Sequence, residues 1–594
     1  MVRMSHPTDP SDPAVDITVT ATFCATLVDE WVRSGVTDAV VSPGSRSTPM
    51  ALALVARPEL AVHVHVDERA AGFVAVGLGL ASGRPAVVLT TSGTAAVELH
   101  PAVVEAHHAG VPILAVTANR PPELFDVGAP QTVDQLQLFG RSVRWFAAPG
   151  PPSADAAGAW RSLAARAVVE AVDGPAGPGP VHLDLSFREP LLGAPGDLPP
   201  GREGGVPWHT AGGHRVAVDR AGTTRLTDLL DAERGVIVAG AGAGDPRSVL
   251  ALAASAGWPV LADPRSGCRL DHPAVVTHAD AVLRHGPTAE ILRPSVVLRL
   301  GAPPASKVVG AWLAASNARQ VAVDAHGRWF DADRTARHVL HADPTAAVTA
   351  LARLVARPGT DAWIGRWTAA ERAASIAVDE VLARHAEVTE PGLVRHLLAA
   401  LPEGATLVVS SSMPIRDLEW FGGQHPGVRV LANRGANGID GVVSTAVGVA
   451  LAARGTGAPT AVLVGDIAFL HDASALLGLL DRGVDLTVVV VDNDGGGIFS
   501  FLPPADALAT ARFEQLFGTP HGVDLGLLVA AHGLVTIEPA TATDLGAVLP
   551  AAVGGGLQVV RVRTDRAANV AIHHELHTAV ATALATALPS VPPA

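Results

Sequence analysis

Asp466 and Asn493 are the residues whose type and spacing most clearly indicate chemistry, and both lie within the stretch Thr460–Phe499. Each follows a short β-branched run, Ala461–Val464 for the first and Leu486–Val491 for the second. Apolar runs without alternation are typical of parallel strands covered on both faces, and ligands bind at the carboxyl ends of such strands. A carboxylate and an amide oxygen beside glycines suit a Mg²⁺ ion that holds a diphosphate. The stretch therefore predicts a metal–diphosphate site, with an ordinary βαβ unit and a polar turn as the alternative.

The segment between these two runs has a helical pattern of leucines. Its apolar positions are Leu476, Leu477, Leu479 and Leu480. A helix here would complete a βαβ unit and bring both strand ends to the same edge of a sheet.

The chain is long enough to form several domains with large cores. Its 594 residues correspond to three or four domains at ~150 residues per domain, and 48% of them are apolar. The net charge of −14 is spread without long acidic blocks, which argues against nucleic acid or an anionic membrane as the main partner.

The composition predicts a cytoplasmic location. The only two cysteines, Cys24 and Cys268, offer neither a disulfide framework nor a metal cluster, as is usual in a reducing cytosol. Residues 1–17 are polar and rich in proline, without the apolar region of a signal peptide, and we expect a disordered tail there. No uninterrupted apolar span reaches ~18 residues, so the sequence predicts no transmembrane helix.

Strand and helix patterns alternate along the chain and predict three α/β domains with mostly parallel, doubly wound sheets. The first covers residues 18–192, a linker rich in proline and glycine covers 193–213, and the others cover 214–355 and 360–594. The expected helices include Thr20–Ser34, Ala70–Ser82 and Trp363–Arg384. Besides the two runs above, the expected strands are Asp38–Ser42, Ala61–Val66, Pro85–Thr90, Pro112–Thr117, Val181–Leu185, Gly235–Ala239, Pro259–Ala262, Ser295–Leu300, Gln320–Asp324, Thr406–Ser410 and Val428–Leu431.

Glu68 is a residue whose role depends on its context. It follows an expected strand and enters a helix of small residues. An acid in the first turn of a helix is stabilised by about 0.3–1 kcal/mol, and this is the ordinary interpretation. The functional alternative to this helix-stabilising role is that the Glu68 carboxyl is buried against an aromatic ring.

The spacing of Asp466 and Asn493 resembles the signature of the thiamine-diphosphate enzymes, which is Gly-Asp-Gly followed, somewhat under thirty residues later, by Asn-Asn. Two positions depart from it: Ile467 replaces the second glycine, and Asp492 precedes Asn493 where Asn is usual. One branch of the family, the carboligases of menaquinone biosynthesis, itself departs at the position of Ile467. Seven motifs along nearly the whole chain resemble that branch: Pro43–Ser47, His65–Gly72, Thr91–Ala95, Asn119–Leu124, Phe187–Leu191, Asn433–Gly441 and Asn493–Phe499.

The resemblance implies a pyrimidine-binding, a middle and a diphosphate-binding domain. Members of this branch are transferases that decarboxylate 2-oxoglutarate to a succinyl carbanion equivalent and add it to isochorismate. The implied cofactors are thiamine diphosphate and Mg²⁺ or Mn²⁺. The implied assembly is at least a homodimer, and further a homotetramer built as a dimer of dimers.

The resemblance also implies roles for residues at matching positions. Asp466, Asn493 and the backbone carbonyl of Gly495 would hold the metal, while Glu68 would activate the cofactor across a dimer interface. Ile439 would keep the cofactor in its bent shape. The further cofactor contacts would be Ser92, Gly93, Ser412, Gly465, Ile467, Ile498 and Phe499.

Both implied substrates are dicarboxylates, which need fixed cations such as arginine and lysine. Arg416, Arg434 and Ser412 would bind 2-oxoglutarate. The residues facing isochorismate would be Ser45, Arg46, Arg120, Gln131 and Lys307. Lys307 is the only lysine of the chain, which can also be chance survival, and Pro130 stands where the branch usually has Asn beside the glutamine.

Three other functions stay open from sequence alone. Gly240–Gly244 follows a strand and has Asp263 about twenty residues on, which half-matches a dinucleotide fingerprint of a dehydrogenase-like protein. An acetolactate-synthase-like carboligase or decarboxylase acting on pyruvate is a nearer alternative, which the arginines disfavour. A non-catalytic thiamine-diphosphate sensor is the third, and the presence of Glu68 argues against it.

Overall fold

The computed structural model describes residues 13–212, 232–355 and 359–588, which form two compact units. The first unit takes its described residues from 13–212, 433–453 and 472–477. The second unit takes them from 232–355, 359–432, 454–471 and 478–588.

The strands are β1 Asp38–Val41, β2 Ala61–Val64, β3 Ala86–Thr90, β4 Ile113–Asn119, β5 Trp145–Ala147, β6 Pro180–Ser186, β7 Gly235–Ala239, β8 Val260–Ala262, β9 Val275–Val276, β10 Val296–Leu300, β11 Arg319–Asp324, β12 Ala336–His341, β13 Thr406–Val409, β14 Arg429–Leu431, β15 Thr460–Gly465, β16 Leu486–Asp492, β17 Thr536–Ile537 and β18 Leu557–Arg563.

The helices are α1 Pro13–Arg33, α2 Thr48–Val55, α3 Glu68–Ser82, α4 Thr94–Val97, α5 His100–Ala109, α6 Ala157–Asp173, α7 Pro246–Ala256, α8 Ala279–Arg284, α9 Gly286–Ile291, α10 Lys307–Ala315, α11 Pro344–Ala352, α12 Asp361–Leu382, α13 Glu390–Ala400, α14 Met413–Phe421, α15 Val442–Ala452, α16 Asp466–His471, α17 Pro504–Ala507, α18 Thr510–Phe513, α19 Leu525–Ala531, α20 Ala542–Ala552 and α21 Arg566–Ala587.

The strands form three six-stranded sheets in which all neighbours are parallel. The first unit holds the sheet β2-β1-β3-β4-β6-β5. The second unit holds β12-β11-β10-β7-β8-β9 and β14-β13-β15-β16-β18-β17. The first and third sheets share one relative strand order, and the middle sheet has the order 3-2-1-4-5-6 of dinucleotide-binding folds. The predicted fold class, α/β with three doubly wound parallel sheets, is confirmed; the exact domain boundaries stay a prediction.

Every strand expected from the sequence is present, with ends shifted by at most two residues. Five strands are missing from the sequence prediction: β5, β9, β12 and β17 lie at sheet edges, whereas β18 lies between β16 and β17 and carries the polar residues Gln558 and Arg561 within its run. An edge strand has only one neighbour and buries less of its surface, so it lacks the continuous apolar run that marks an inner strand.

The helix predicted around Leu476–Leu480 is wrong. The chain forms the short helix α16 and then separate 3₁₀ turns at Ala473–Leu476 and Leu480–Arg482. Gly478 has a φ of +64°, which breaks the turn between the leucines. Leu476 and Leu479 are buried, whereas Leu477 and Leu480 are exposed, so these leucines form no single apolar face.

The predicted disordered tail extends too far. Residues 1–12 lie outside the described residues, but α1 already begins at Pro13. Most of the predicted linker is described, over 193–212, and contains one 3₁₀ turn at Glu203–Gly205. Residue 213 and the start of the predicted middle domain, 214–231, lie outside the described residues.

In the first unit, helices α3 and α15 cross at two glycines. A Cβ atom on Gly77 would lie 2.0 Å from the carbonyl oxygen of Thr445, and one on Gly448 would lie 2.1 Å from that of Val74. The small-residue pattern of α3 therefore permits backbone contact with α15, and this packing fixes the helix whose first residue is Glu68.

In the second unit, Arg269 connects the middle and third sheets. Its buried guanidinium donates to the carbonyl of Ala262 near β8 and to those of Leu418, Glu419 and Gly423 at the end of α14. Burial lowers the pKa of Arg269 to about 10, which still leaves it charged at neutral pH. These bonds hold the helix that carries Arg416.

None of the helices in the described parts of the chain combines the length and the apolarity needed to cross a membrane.

Candidate active site

Asp466 joins the ends of β15 and β16 in the second unit. Its Oδ1 accepts the N–H of Ile467 at 2.7 Å, and its Oδ2 accepts the N–H groups of Asn493 at 3.1 Å and Gly495 at 2.9 Å. Burial raises the pKa of the Asp466 carboxyl, and the N–H groups counteract part of this rise. The structure thus brings the predicted metal ligands together through backbone bonds.

The two polar atoms of the Asn493 side-chain amide differ in their hydrogen bonding. Its Nδ2 donates to Glu390 Oε1 at 2.9 Å, while its buried Oδ1 has no hydrogen-bond partner among the described residues. Gly495 has a φ of +143°, and a Cβ atom there would lie 2.0 Å from the carbonyl oxygen of Gly518. A carboxylate, an unpaired amide oxygen and a backbone turn that admits only glycine fit the oxygen donors that Mg²⁺ prefers.

Glu390 is a functional candidate that the sequence analysis missed. It is buried at the start of α13, and its Oε1 also accepts the Thr564 hydroxyl at 2.9 Å. Burial, and after it the charge of Asp417, raises the pKa of Glu390 to about 7. Since Glu390 accepts from the amide nitrogen of Asn493, it turns the amide oxygen away from itself; no local sequence pattern announces this pairing.

The departure from the family signature at Asp492 has a structural reason. Arg561 on the neighbouring strand β18 donates to Asp492 Oδ2 at 2.7 Å through Nε and approaches it equally closely through Nη2. Asp492 is thereby engaged in an ion pair. His521 also lies close, with its Nε2 3.4 Å from Asp466 Oδ2, so Asp466, Asp492 and His521 form an alternative ligand cluster whose ligand atoms lie within 4.8 Å of one another.

The predicted apolar cofactor contacts follow β16. Ile498 is partly buried and packs against a core cluster, and the ring of Phe499 lies 5.4 Å from that of Phe517. A Cβ atom on Gly465 would meet no described atom within 4 Å, so space is open beside it, and Ile467 is half-buried.

Ser412 and Arg416 lie within one helical turn. Ser412 caps α14 with a φ of +74°, and its carbonyl accepts Arg416 Nη1 at 2.5 Å. Burial lowers the pKa of Arg416, and nearby carboxylates including Asp280 oppose this effect. The same Asp280 accepts the Ser306 hydroxyl at 2.5 Å, and the exposed Lys307 follows Ser306 as the first residue of α10.

Glu68 is half-buried at the first position of α3 in the first unit. The helix is capped by its neighbour Asp67, which accepts the N–H of Ala70 at 3.0 Å and the Ser474 hydroxyl at 2.6 Å. The side chain of Glu68 makes no hydrogen bond or ion pair within the described parts of the chain. The capping role is therefore already filled, and the carboxyl of Glu68 is available for another partner.

Ser92, Gly93 and Gln131 form a second group in this unit. The buried Ser92 hydroxyl has no partner among the described residues, and Gly93 has a φ of +85°. Gln131 is exposed with a φ of +52°, and its Cα lies 3.4 Å from the position of a Cβ on Gly93. Gln131 thus lies beside Gly93 despite the substitution at Pro130.

Two arginines of the first unit keep an unpaired N–H group. Arg46 is buried and donates to the Phe187 carbonyl and to Glu189, each at 2.9 Å, but its Nε has no partner among the described residues. The same is true of the buried Nε of Arg120. Ser45 is exposed in the turn before Arg46. An anionic ligand would satisfy both groups.

Arg434 and Ile439 also belong to the first unit, in a loop anchored by Glu105. This buried carboxylate, which the sequence analysis missed, accepts the N–H groups of Gly435 and Ala436, both at 2.7 Å. Burial raises the pKa of Glu105. Arg434 is half-buried, and Ile439 is 41% exposed, so it is an apolar side chain available to a ligand.

Three family models match the chain in sequence order. They describe the N-terminal TPP binding domain of thiamine pyrophosphate enzymes at residues 21–138, a middle domain of thiamine pyrophosphate at 206–409 and the C-terminal TPP binding domain at 423–562. Thiamine pyrophosphate is another name for thiamine diphosphate.

Similar proteins match over nearly their whole length. The 2-succinyl-5-enolpyruvyl-6-hydroxy-3-cyclohexene-1-carboxylate synthase of Chloroflexus aurantiacus is 42% identical, over 93% of this chain and 95% of its own. The synthase of the same name from Thermobifida fusca is 45% identical, over 93% of this chain and 97% of its own. The synthase of the same name from Kineococcus radiotolerans is 44% identical, over 91% of this chain and 95% of its own.

Proposed function

Because this chain belongs to the 2-succinyl-5-enolpyruvyl-6-hydroxy-3-cyclohexene-1-carboxylate synthase family of thiamine-diphosphate enzymes, we propose that it decarboxylates 2-oxoglutarate and adds the succinyl group to isochorismate. The products are the compound for which the family is named and CO₂. The chain is a thiamine-diphosphate-dependent transferase, a carboligase of menaquinone biosynthesis.

The buried, unpaired Nε groups of Arg46 and Arg120 carry the substrate assignment. A buried donor without a partner costs free energy, about 1–3 kcal/mol for a neutral group and more for a charged one, unless a ligand accepts its hydrogen. A carboxylate does so best, because an ionised acceptor strengthens the bond. With Ser45, Gln131 and Lys307, these arginines would bind isochorismate.

The donor substrate would be held by Arg416, Arg434 and Ser412. Two arginines match the two carboxylates of 2-oxoglutarate. Pyruvate has one carboxylate and would leave a cation unpaired, which disfavours an acetolactate-synthase-like activity.

The residues around the cofactor would orient it and move one proton. When bound, thiamine diphosphate supplies the nucleophilic carbon and the electron sink that a 2-oxo acid needs to lose CO₂. Glu68 would exchange a proton with the pyrimidine ring, while Asp466, Asn493 and the Gly495 carbonyl would hold Mg²⁺ or Mn²⁺ against the diphosphate. Ser92, Gly93, Ser412, Gly465 and Ile467 would contact the cofactor, and Ile439, Ile498 and Phe499 would shape its pocket.

We also propose a homodimer that pairs into a tetramer and works in the cytoplasm. Two observations support these assignments. The half-buried carboxyl of Glu68 has no partner among the described residues and is thus available to a cofactor bound by a second chain, and the buried Cys24 and Cys268 are both free thiols, as in a reducing compartment. In the dinucleotide-binding alternative, Asp263 would bind the ribose. Arg265 already donates to both carboxylate oxygens of Asp263, which argues against that alternative.

The decisive experiment supplies the purified protein with thiamine diphosphate, Mg²⁺ and 2-oxoglutarate, with and without isochorismate. We expect isochorismate to disappear as CO₂ is released, and expect little reaction when pyruvate replaces 2-oxoglutarate. Equal activity with pyruvate would show that the substrate assignment is wrong. Nicotinamide or flavin absorbance in the purified protein would revive the dinucleotide alternative.

A further inference from the structure

A buried carboxylate, Asp184 on β6, is the centre of a polar network in the first unit. Its Oδ1 accepts the Thr117 hydroxyl and Gln135 Nε2, both at 2.9 Å, and its Oδ2 accepts Asn119 Nδ2 at 2.8 Å. Asp184 and its three donors are almost fully inaccessible to solvent. Burial raises the pKa of Asp184, and the three donors counteract this rise by binding the ionised form.

The two amides of this network each reach a proposed site residue. Gln135 Oε1 accepts the N–H of Gly93 at 3.0 Å, and Asn119 Oδ1 accepts the N–H of Arg120 at 2.8 Å. Each amide therefore points its nitrogen towards Asp184 and its oxygen towards a backbone that carries cofactor or substrate contacts.

An ionised carboxylate only accepts hydrogen bonds, so it can fix the orientation of both amides. We propose that Asp184 is a positioning residue that sets the Gly93 turn and the Arg120 backbone through Gln135 and Asn119. The inference rests on the proposed function for the role of Arg120, whereas the role of Gly93 needs only thiamine-diphosphate binding. None of the sequence motifs contains Asp184 or Gln135.

Replacing one acceptor oxygen by a donor breaks this arrangement. In Asp184→Asn, the new NH₂ group must face the NH₂ group of either Gln135 or Asn119, and one of these amides must turn over. A turned Gln135 presents donors to Gly93, and a turned Asn119 presents donors to Arg120. Either way, one backbone N–H of the site loses its acceptor.

The test measures ligand binding by titration calorimetry, without turnover, for thiamine diphosphate with Mg²⁺ and for isochorismate. We expect Asp184→Asn to weaken at least one of these ligands about tenfold, the loss typical of one buried hydrogen bond. The KM for 2-oxoglutarate should stay within about twofold, because Arg416 and Ser412 lie outside this network. Thr117→Val is the matched control: it also removes a bond to Asp184 but touches no site residue, so both affinities should be retained.

A second substitution, at Gln135, should restore the hydrogen-bond pattern that Asp184→Asn disrupts. In the double variant D184N/Q135E, the carboxylate introduced at position 135 can accept from both the Gly93 N–H and the amide introduced at position 184. The oxygen of that amide can still accept from Asn119. We expect the double variant to regain most of the lost affinity. The inference is overturned if Asp184→Asn binds both ligands like wild type, or if the double variant is no better than the single one.

Gln135→Met covers the case in which Asp184→Asn does not fold. It removes only the hydrogen bond from the Gly93 N–H to the side chain at position 135 and leaves that of Arg120, so thiamine-diphosphate affinity should fall about tenfold; unchanged cofactor affinity would refute the inference. Failure of wild type to use isochorismate would refute the proposed function instead, and the cofactor titrations would still decide this inference.

Discussion

At the scale of single residues, the hydrogen bonds and ion pairs of a side chain indicate which of its atoms remain available to a ligand. Asn493 donates to Glu390 through its side-chain nitrogen, which leaves its buried Oδ1 without a partner among the described residues. Asp492 has the charge expected of a metal ligand, yet Arg561 already neutralises it. The adjacent residues Asp492 and Asn493 are thus a structural and a candidate ligand residue, respectively.

This difference predicts opposite results for two substitutions of aspartate by asparagine. Asp466→Asn should weaken Mg²⁺-dependent binding of thiamine diphosphate by about 100-fold, because it removes a charged ligand of the metal. Asp492→Asn should keep that affinity and lower the thermal midpoint, since Arg561 loses a buried ion-pair partner. Calorimetric titration and thermal unfolding measure the two effects. Equal loss of cofactor affinity would favour the cluster of Asp466, Asp492 and His521, and retention of cofactor after exhaustive chelation would exclude the metal site.

Glu68 is the second residue with a sharp prediction. Glu68→Gln keeps the shape of the side chain but cannot exchange a proton, so kcat should fall at least ~100-fold while the thermal midpoint stays unchanged. Asp67→Asn is the control, because asparagine also caps helices well and should preserve kcat within about threefold. Steady-state kinetics of the two variants decide the matter; near-normal turnover of Glu68→Gln would remove its catalytic assignment.

At the scale of elements, carboxylates hold the starts of two helices in the first unit. Asp67 caps α3, and Asp472 binds the N–H and hydroxyl of Ser444 at the start of α15, at 2.7 and 2.8 Å. Asp472 comes from the short segment between β15 and β16, for which the leucine pattern predicts a helix. Its turn conformation lets it reach α15, so the failed helix prediction marks a tertiary contact.

Asp472 also predicts a pH dependence of stability. Burial is the largest cause that raises its pKa from 3.8 to about 6, so the folded state holds a proton that the unfolded state has released between these values. Stability therefore falls as pH rises through this window, by about 3 kcal/mol in total, and levels off above it.

Asp472→Asn should remove this dependence, since the amide keeps both bonds to Ser444 without a titrating group. The thermal midpoint of the variant minus that of wild type should increase from pH 5 to pH 7. The exposed Asp481 provides the control, because Asp481→Asn should follow wild type at every pH. A difference for Asp472→Asn that does not change with pH would contradict the assigned titration.

At the scale of the whole molecule, the proposed residues divide between the two units. Glu68, Arg46 and Arg120 belong to the first unit, and Asp466 and Asn493 belong to the second. A site between two chains would use Glu68 of one chain and Asp466 of the other, as we propose for the dimer.

A heterodimer of two impaired chains tests this proposal, at a thiamine-diphosphate concentration that saturates wild type but not Asp466→Asn. When Glu68→Gln and Asp466→Asn subunits are co-expressed with different tags, one site of each heterodimer receives both changes and the other receives none. The purified heterodimer should therefore recover about half of the wild-type activity per dimer, given two equivalent sites. An inactive heterodimer would place the site within one chain, and recovery of only single-tag protein would argue against the dimer itself.

The sequence by itself determined the fold class, all inner strands except β18, and the convergence of Asp466 and Asn493. β-Branched runs without alternation mark buried parallel strands, and parallel strands deliver their carboxyl ends to one edge, so Asp466 and Asn493 had to meet. These features depend on local patterns of burial, which a single sequence records.

Only the tertiary structure decided which polar groups pair. Glu390 lies 103 residues from Asn493, Arg561 lies 69 residues from Asp492, and Gln135 lies 49 residues from Asp184. Such pairs follow from the order of the strands and the packing of helices, not from spacing along the chain. The sequence did not predict the edge strands β5, β9, β12 and β17 or the turn at Gly478, because their own residues bury too little apolar surface to specify a conformation that neighbouring elements impose.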